Sequence, residues 1–381
     1  MRLTTTTPNT LKIAAVQMDA TPAPVAERLA RAADLVAEAA AAGAQLVALP
    51  EVFNIGYEYS DANYALAETM DGATVTWMRR AAAEHGVHLA GTLLLRDGDE
   101  VYNTALLIAP DGRTWRYDKQ YPYAWERAYF REGQGVTVAD TDLGKLGMMI
   151  CWDSAHPDLW RRYAGQVQAM VVLSCPPLMH KSELVFPDGQ RVGFRQLGGV
   201  FRQTPQHDFV FGEEMDRNAA WLQVPLVNTT GSGQFRSRLP APLPSLMSYT
   251  LFRPDLWKKL KDAPEVRLEN GYFMQTKVVS ADGQVLSRVT DDGDGFTLAE
   301  VTLPAAPPQP QAKTQPRVSV PGMLTFMIDY GILPFIIGKY REGLRRQWGA
   351  RMAPRDPRTV IWTGVAAAAG LFGFLIGRLL A

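Results

Sequence analysis

The chain has 381 residues, with 39 Lys and Arg balanced by 39 Asp and Glu, 47% hydrophobic residues and two cysteines. Zero net charge at 20% charged residues excludes a disordered, strongly charged chain, and the lack of a basic surplus predicts no nucleic-acid partner. Cys151 and Cys175 cannot staple a secreted fold; they fit a reducing compartment, and neither lies in a CxxC or Cys/His cluster, so no metal or other cofactor is expected.

The amino terminus, MRLTTTTPNTLK, lacks the apolar stretch of a secretory signal, which predicts a body that begins in the cytosol. From Leu11 to about Leu303, short apolar runs alternate with amphipathic stretches, the pattern of an α/β fold. Lys12 to Met18 reads as a buried strand. Val25 to Ala42 carries Leu29, Ala33, Val36 and Ala40 on one face and stops at Gly43, which predicts a helix. Gln45 to Leu49 completes a βαβ unit ending at Pro50-Glu51, and chemistry collects at such strand ends. A helix follows over Val75 to His85, then strands over Val87 to Leu95 and Val101 to Ile108, with a turn at Asp111-Gly112. Leu146 to Ile150 and Ala169 to Ser174 read as buried strands on either side of a helix over Asp158 to Gly165. His180 to Gly212 and Phe235 to Asn270 show no clear period, and loops of that length are expected to serve as lids or insertions.

Three strand ends carry reactive groups: Glu51 after Leu49-Pro50, Lys119 after Tyr117-Asp118, and Cys151 after Met149-Ile150. A carboxylate, an ammonium and a thiol suit acyl transfer, in which a base takes the thiol proton, sulfur attacks carbon, and a cation holds the developing anion.

The blocks around these residues resemble the nitrilase superfamily of carbon-nitrogen hydrolases. The matching segments, in order, are KIAAVQM, LVALPEVF at Glu51, YDKQYPYAWERAYFREG at Lys119, GKLGMMICWDSAHPDLWR at Cys151, RNAAWLQVPLVNTTGSG from Arg217 to Gly233, and the SADGQVL turn. The resemblance implies a four-layer α-β-β-α sandwich over residues 11–303 that assembles as a homo-oligomer, a dimer or higher. It implies Glu51 as general base, Lys119 as stabiliser of the tetrahedral intermediate, Cys151 as the thioester-forming nucleophile, and Glu126 as the second glutamate that positions the lysine and the substrate nitrogen. Trp152, Asp153 and Tyr57 are expected against the substrate or in direct support of the site. His156, beside Pro157, reads as a packed or capping residue. The stretch from Tyr121 to Arg127 departs from the Gly-containing connection usual in the family. Cys151-Trp152-Asp153 resembles the amidase and carbamoyl-amide branches, so an amide or carbamoyl C–N bond is the expected target. Nitrile hydrolysis, acyl transfer to an amine and a non-enzymatic scaffold are the alternatives.

Residues 304–321 are rich in Pro and Gln and read as an extended linker. Residues 322–381 read as a membrane-associated tail, with eight Lys and Arg against three Asp and Glu. Gly322 to Gly338, apolar apart from Asp329, is expected as an interfacial or re-entrant segment. Thr359 to Gly377 runs for 19 residues without a charge, and at 1.5 Å per residue that spans about 28 Å, near the thickness of a bilayer core. The basic residues between these segments place the catalytic body on the cytoplasmic face. These features together predict a membrane-tethered hydrolase whose partners are membrane lipid and a small or lipid-like amide substrate.

Overall fold

The computed structural model describes residues 9–203, 209–311, 316, 320 and 322–349. At its centre, the Asn9–Asp19 strand pairs in parallel with Leu46–Ala48 and antiparallel with Gly295–Leu303, so the carboxyl end of the sequence-matched region closes on its beginning. That first sheet continues through His88–Asp97, Glu100–Ile108 and Thr114–Asp118. A second, six-stranded sheet runs in the order Val285–Arg288, Lys277–Val279, Leu226–Thr229, Ala169–Leu173, Gly144–Ile150 and Val138–Thr141.

The period of two along a strand separates the layers, because successive side chains leave opposite faces. On the first sheet, Ile13, Ala15, Leu46, Ala48, Ala90 and Leu94 enter the core shared with Met148, Ile150, Val171 and Leu173 of the second. Their neighbours Ala14, Val16, Val47, Leu49, Leu89 and Leu93 face outward, under the Val25–Ala41 and Ala73–His85 helices. The Pro157–Tyr163 and Met215–Leu222 helices bury Trp160, Tyr163, Met215 and Leu222 on the second sheet. The α/β sandwich expected from the sequence is therefore the observed architecture.

Two expectations need correction. The segments His180 to Gly212 and Phe235 to Asn270 are not merely irregular. Glu183–Val185, Arg191–Gly193, Gln234–Arg238 and Arg267–Gly271 join into a four-stranded antiparallel sheet. Each strand has only three to five residues, too few for a local period to stand out, and their partners come from distant segments.

Gly322 to Gly338 was expected at a membrane interface; instead it lies on the hydrolase body. A Gly322–Phe326 helix, a π-helical turn at Met327–Gly331 and a Leu333–Trp348 helix form a strap across the body. Leu324, Ile328, Ile332, Ile336, Tyr340 and Leu344, spaced every fourth residue, are all buried, as a stripe on one helical face should be. Gly343 leaves room for Tyr64, whose ring occupies the space a Cβ would need. Lys339 pairs with Asp61, and the Tyr340 hydroxyl donates to Glu100 at 2.6 Å. Among the described residues no helix is long and apolar enough to cross a membrane; the expected span, Thr359 to Gly377, lies outside them.

Candidate active site

Glu51, Lys119 and Cys151 each stand just past the carboxyl end of a strand, and the packing of the two sheets brings them together. Lys119 Nζ lies 2.7 Å from Glu51 Oε1 and 2.7 Å from Glu126 Oε2, with all three side chains buried. The Cys151 thiol adjoins Glu51 and accepts from the backbone N–H of Cys175. The structure thus unites the four residues proposed from the sequence to do the chemistry.

Local backbone geometry is strained at this point. Among the described residues five that are not glycine have positive φ, and three of them are Cys151 at 47°, Val52 beside Glu51 at 44° and Ala124 near Glu126 at 43°. Such conformations are costly and persist where surrounding packing imposes them, often at functional sites. At Cys151 the chain turns from a strand into a tight 3-10 turn, Cys151–Ala155, which thrusts the thiol toward the facing sheet.

Burial dominates the electrostatics. It pushes Glu51 up from 4.5 to about 7; Lys119 pulls the other way, and nearby Glu126 adds to the rise. Lys119 is pushed up despite burial, because the carboxylates of Glu126 and Glu51 outweigh the cost of desolvating the ammonium. The Cys151 thiol is pushed well up, first by burial and then by the Glu51 charge, with Lys119 opposing. Glu51 is therefore poised to exchange a proton near neutrality while Lys119 stays cationic. Its Oε1 takes both Lys119 and Asn103 Nδ2, the latter at 2.8 Å, whereas its Oε2 has no hydrogen-bond partner among the described residues. That leaves one carboxylate oxygen to receive a proton.

Glu126 is fixed from three directions: by Lys119, by the Tyr123 N–H at 2.6 Å and by the Tyr57 hydroxyl. Tyr57 and Asn103 line a small cavity together with Glu126, so Tyr57 does belong to the site. Of the two roles expected for Asp153 and Trp152, contact with substrate or direct support of the site, their hydrogen bonds are those of support. Asp153 Oδ2 accepts from the Tyr117 hydroxyl at 2.7 Å and the Ile150 N–H at 3.1 Å, and Oδ1 from the Gln120 and Tyr121 N–H groups. A buried carboxylate with that many protein donors is committed to holding the turn after the nucleophile against the loop after Lys119. Trp152 is fully buried and donates its indole N–H to Asp329 of the strap. Sequence reasoning missed Asn103 and Asp329. Their available signal was an uncharged amide inside the apolar strand VYNTALLI and a lone acid inside an apolar helical stripe.

Beside the tetrad lies an apolar cavity. Its wall includes Tyr123, Ala124 and Trp125, which lead into Glu126, and Tyr59, which packs on Tyr57 at 6.1 Å between ring centroids. Cys151 is not on this wall. The rest is aromatic or aliphatic apart from Ser248 and Asn270, and the strap contributes Leu324, Met327, Ile328 and Ile332 as a roof. Among the described residues no group of His, Cys, Asp and Glu could hold a metal ion.

Comparison with known proteins agrees with this geometry. The carbon-nitrogen hydrolase family model matches residues 12–188. A nitrilase of Pyrococcus abyssi is 30% identical over 185 residues, covering 48% of this chain and 68% of that protein. An aliphatic nitrilase of Rhodococcus rhodochrous is 34% identical over 173 residues, covering 41% of this chain and 47% of the relative, so the chain matches about half the length of that protein. Among solved structures, an amidase from Nesterenkonia sp. AN1 superposes with a TM-score of 0.55 at 21% identity, over 78% of this chain and 94% of that one. A CN-hydrolase superfamily protein of Xanthomonas campestris with an arsenic adduct in its active site gives 0.55 at 18% identity, over 78% and 91%. At such identity the two structures bear on the fold alone.

Proposed function

Because the chain belongs to the carbon-nitrogen hydrolase family, we propose that it hydrolyses a non-peptide amide C–N bond through a thioester on Cys151. The observation that carries this reading is the buried Glu51–Lys119–Glu126 network closed around the thiol. Glu51 takes the thiol proton as sulfur attacks the carbonyl carbon, and the Lys119 ammonium stabilises the tetrahedral oxyanion. Collapse breaks the C–N bond as Glu51 returns the proton to the departing nitrogen. Water then attacks the thioester while Glu51 receives its proton, and collapse releases the acid and restores the thiol. Glu126 keeps Lys119 aimed and charged throughout. A nitrile is the second reading, favoured by the curated relatives, which are described as nitrilases.

The apolar cavity beside the tetrad supports a hydrophobic, lipid-like acyl group as the preferred substrate. Next in sequence to its wall residues Ser248, Tyr249 and Leu324, Met247 and Met323 are about half exposed or more, as are Leu251, Phe252 and Trp257. These exposed apolar side chains, together with the uncharged Thr359 to Gly377 run, support a membrane-tethered enzyme with its body on the cytoplasmic face. Cys151→Ala tests the chemistry: loss of turnover on amides and nitriles, together with loss of labelling by an acyl electrophile, is expected, and retained turnover would overturn it. Fractionation tests the tether: full-length protein that stays in the supernatant of a high-speed spin without detergent would overturn that part.

A further inference from the structure

Asp329 lies in the strap, outside the residues matched by the family model, yet it is one of the most buried carboxylates in the molecule, at 2% exposure. Its Oδ1 accepts the Trp152 indole N–H at 2.8 Å, and its Oδ2 meets His156 Nε2 at 2.8 Å. His156 Nδ1 lies 3.0 Å from the Trp152 carbonyl oxygen. A carbonyl only accepts, so Nδ1 carries a proton and donates it. The contacts close a ring in which Asp329 holds the residue after the nucleophile at both ends, by its indole directly and by its peptide carbonyl through His156. Tyr121 stacks on the His156 ring at 3.4 Å between centroids, and Tyr123 packs edge-on against Trp152 at 5.2 Å. Trp152 therefore has little freedom while Asp329 is in place.

We propose that Asp329 is a positioning residue for the reaction: it clamps the Cys151–Ala155 turn so that the strained Cys151 keeps its thiol over Glu51 and Lys119. The strap then completes the active site as well as roofing the cavity, and the body without it is a poor catalyst. This inference rests on the reading of Cys151 as nucleophile. A buried carboxylate is costly unless its hydrogen bonds are made. Here both oxygens are spent on Trp152 and His156, in and just after the turn that carries the nucleophile.

The test compares three variants of the full chain, with turnover of a medium-chain primary amide such as hexanamide and alkylation of Cys151 by iodoacetamide as parallel readouts. Asp329→Leu fills the space without accepting either bond, and should lower kcat and the alkylation rate by about 10-fold or more with KM within about 3-fold. Asp329→Asn can still accept from the indole and donate to Nε2 of a neutral His156, so it should stay within about 3-fold of wild type in both. Trp152→Phe, which removes the indole donor together with one of its fused rings, should fall between them and serves as the arm if Asp329→Leu does not fold. Wild-type kcat and alkylation in both Asp329→Leu and Trp152→Phe would overturn the assignment, as would Asp329→Asn being as impaired as Asp329→Leu. Cys151→Ala is the separate control: if it stays active, the nucleophile reading falls; if it is inert while Asp329→Leu is normal, only the clamp falls.

Discussion

Replacing Lys119 with Met removes an ammonium but keeps an unbranched apolar stem, so what matters is what remains around it. Glu51 and Glu126 each have an oxygen 2.7 Å from Nζ and are nearly inaccessible to water. Removing one partner of a buried ion pair costs about 3–5 kcal/mol, and here one lysine serves two carboxylates. Protonation offers partial relief. Burial already holds Glu51 up at about 7 while Lys119 pulls it down, so without the lysine its proton affinity rises further. A carboxyl group whose folded pKa exceeds its unfolded one adds stability below the unfolded value, and that stability is lost as pH rises through the folded one. The deficit of Lys119→Met relative to wild type should therefore be about 1–2 kcal/mol near pH 6 and grow toward about 3–5 kcal/mol near pH 8.5, with a slope of no more than about 1.4 kcal/mol per pH unit for each proton. Urea unfolding of both proteins at matched concentration, monitored by tryptophan fluorescence, measures it. A deficit below about 1 kcal/mol, or one independent of pH, would refute the picture of two buried carboxylates sharing one cation.

Because Glu51 must be unprotonated to accept the thiol proton, kcat/KM should rise with pH and level off above about 7; a flat profile across the acid limb would contradict this role. Tyr57→Phe removes the hydroxyl that donates to Glu126 and should lower kcat about 10-fold, the size expected for one hydrogen bond to a charged group, with steady-state kinetics as the check. Gly343→Val forces a side chain into the Tyr64 ring, so it should loosen the Leu333–Trp348 helix. Faster limited proteolysis within residues 322–349 would show it, and a wild-type digestion pattern would count against tight docking of the strap.

The proposed catalytic residues were legible because their chemistry is written locally. Glu51 and Cys151 each follow a short apolar run that reads as a buried strand, and chemistry collects at such strand ends; the strand before Lys119, TWRYD, is polar and half-buried, and its block is read by family resemblance. The Ala-rich period of Val25 to Ala41 likewise carries its own helix signal. The small sheet of the two insertions was not legible, since its three- to five-residue strands borrow their hydrogen bonds from distant segments. The position of Asp153 beside Cys151 suited a substrate contact or a support, and the donors that make it a brace, from Tyr117, Gln120 and Tyr121, arrive only in the folded chain.

The tail shows the division most clearly. The sequence alone determined that Gly322 to Gly338 is an apolar stripe of chain with one acid, Asp329, in it, because composition is a local property. It could not say whether that stripe faces lipid or protein, since both reward the burial of apolar surface equally. The tertiary structure decided for protein: the stripe covers the hydrolase body, and its acid meets Trp152 and His156, more than 170 residues earlier in the chain. The physical reason is that a carboxylate is tolerated out of water only where donors already wait for it, and those donors exist only once the fold has assembled.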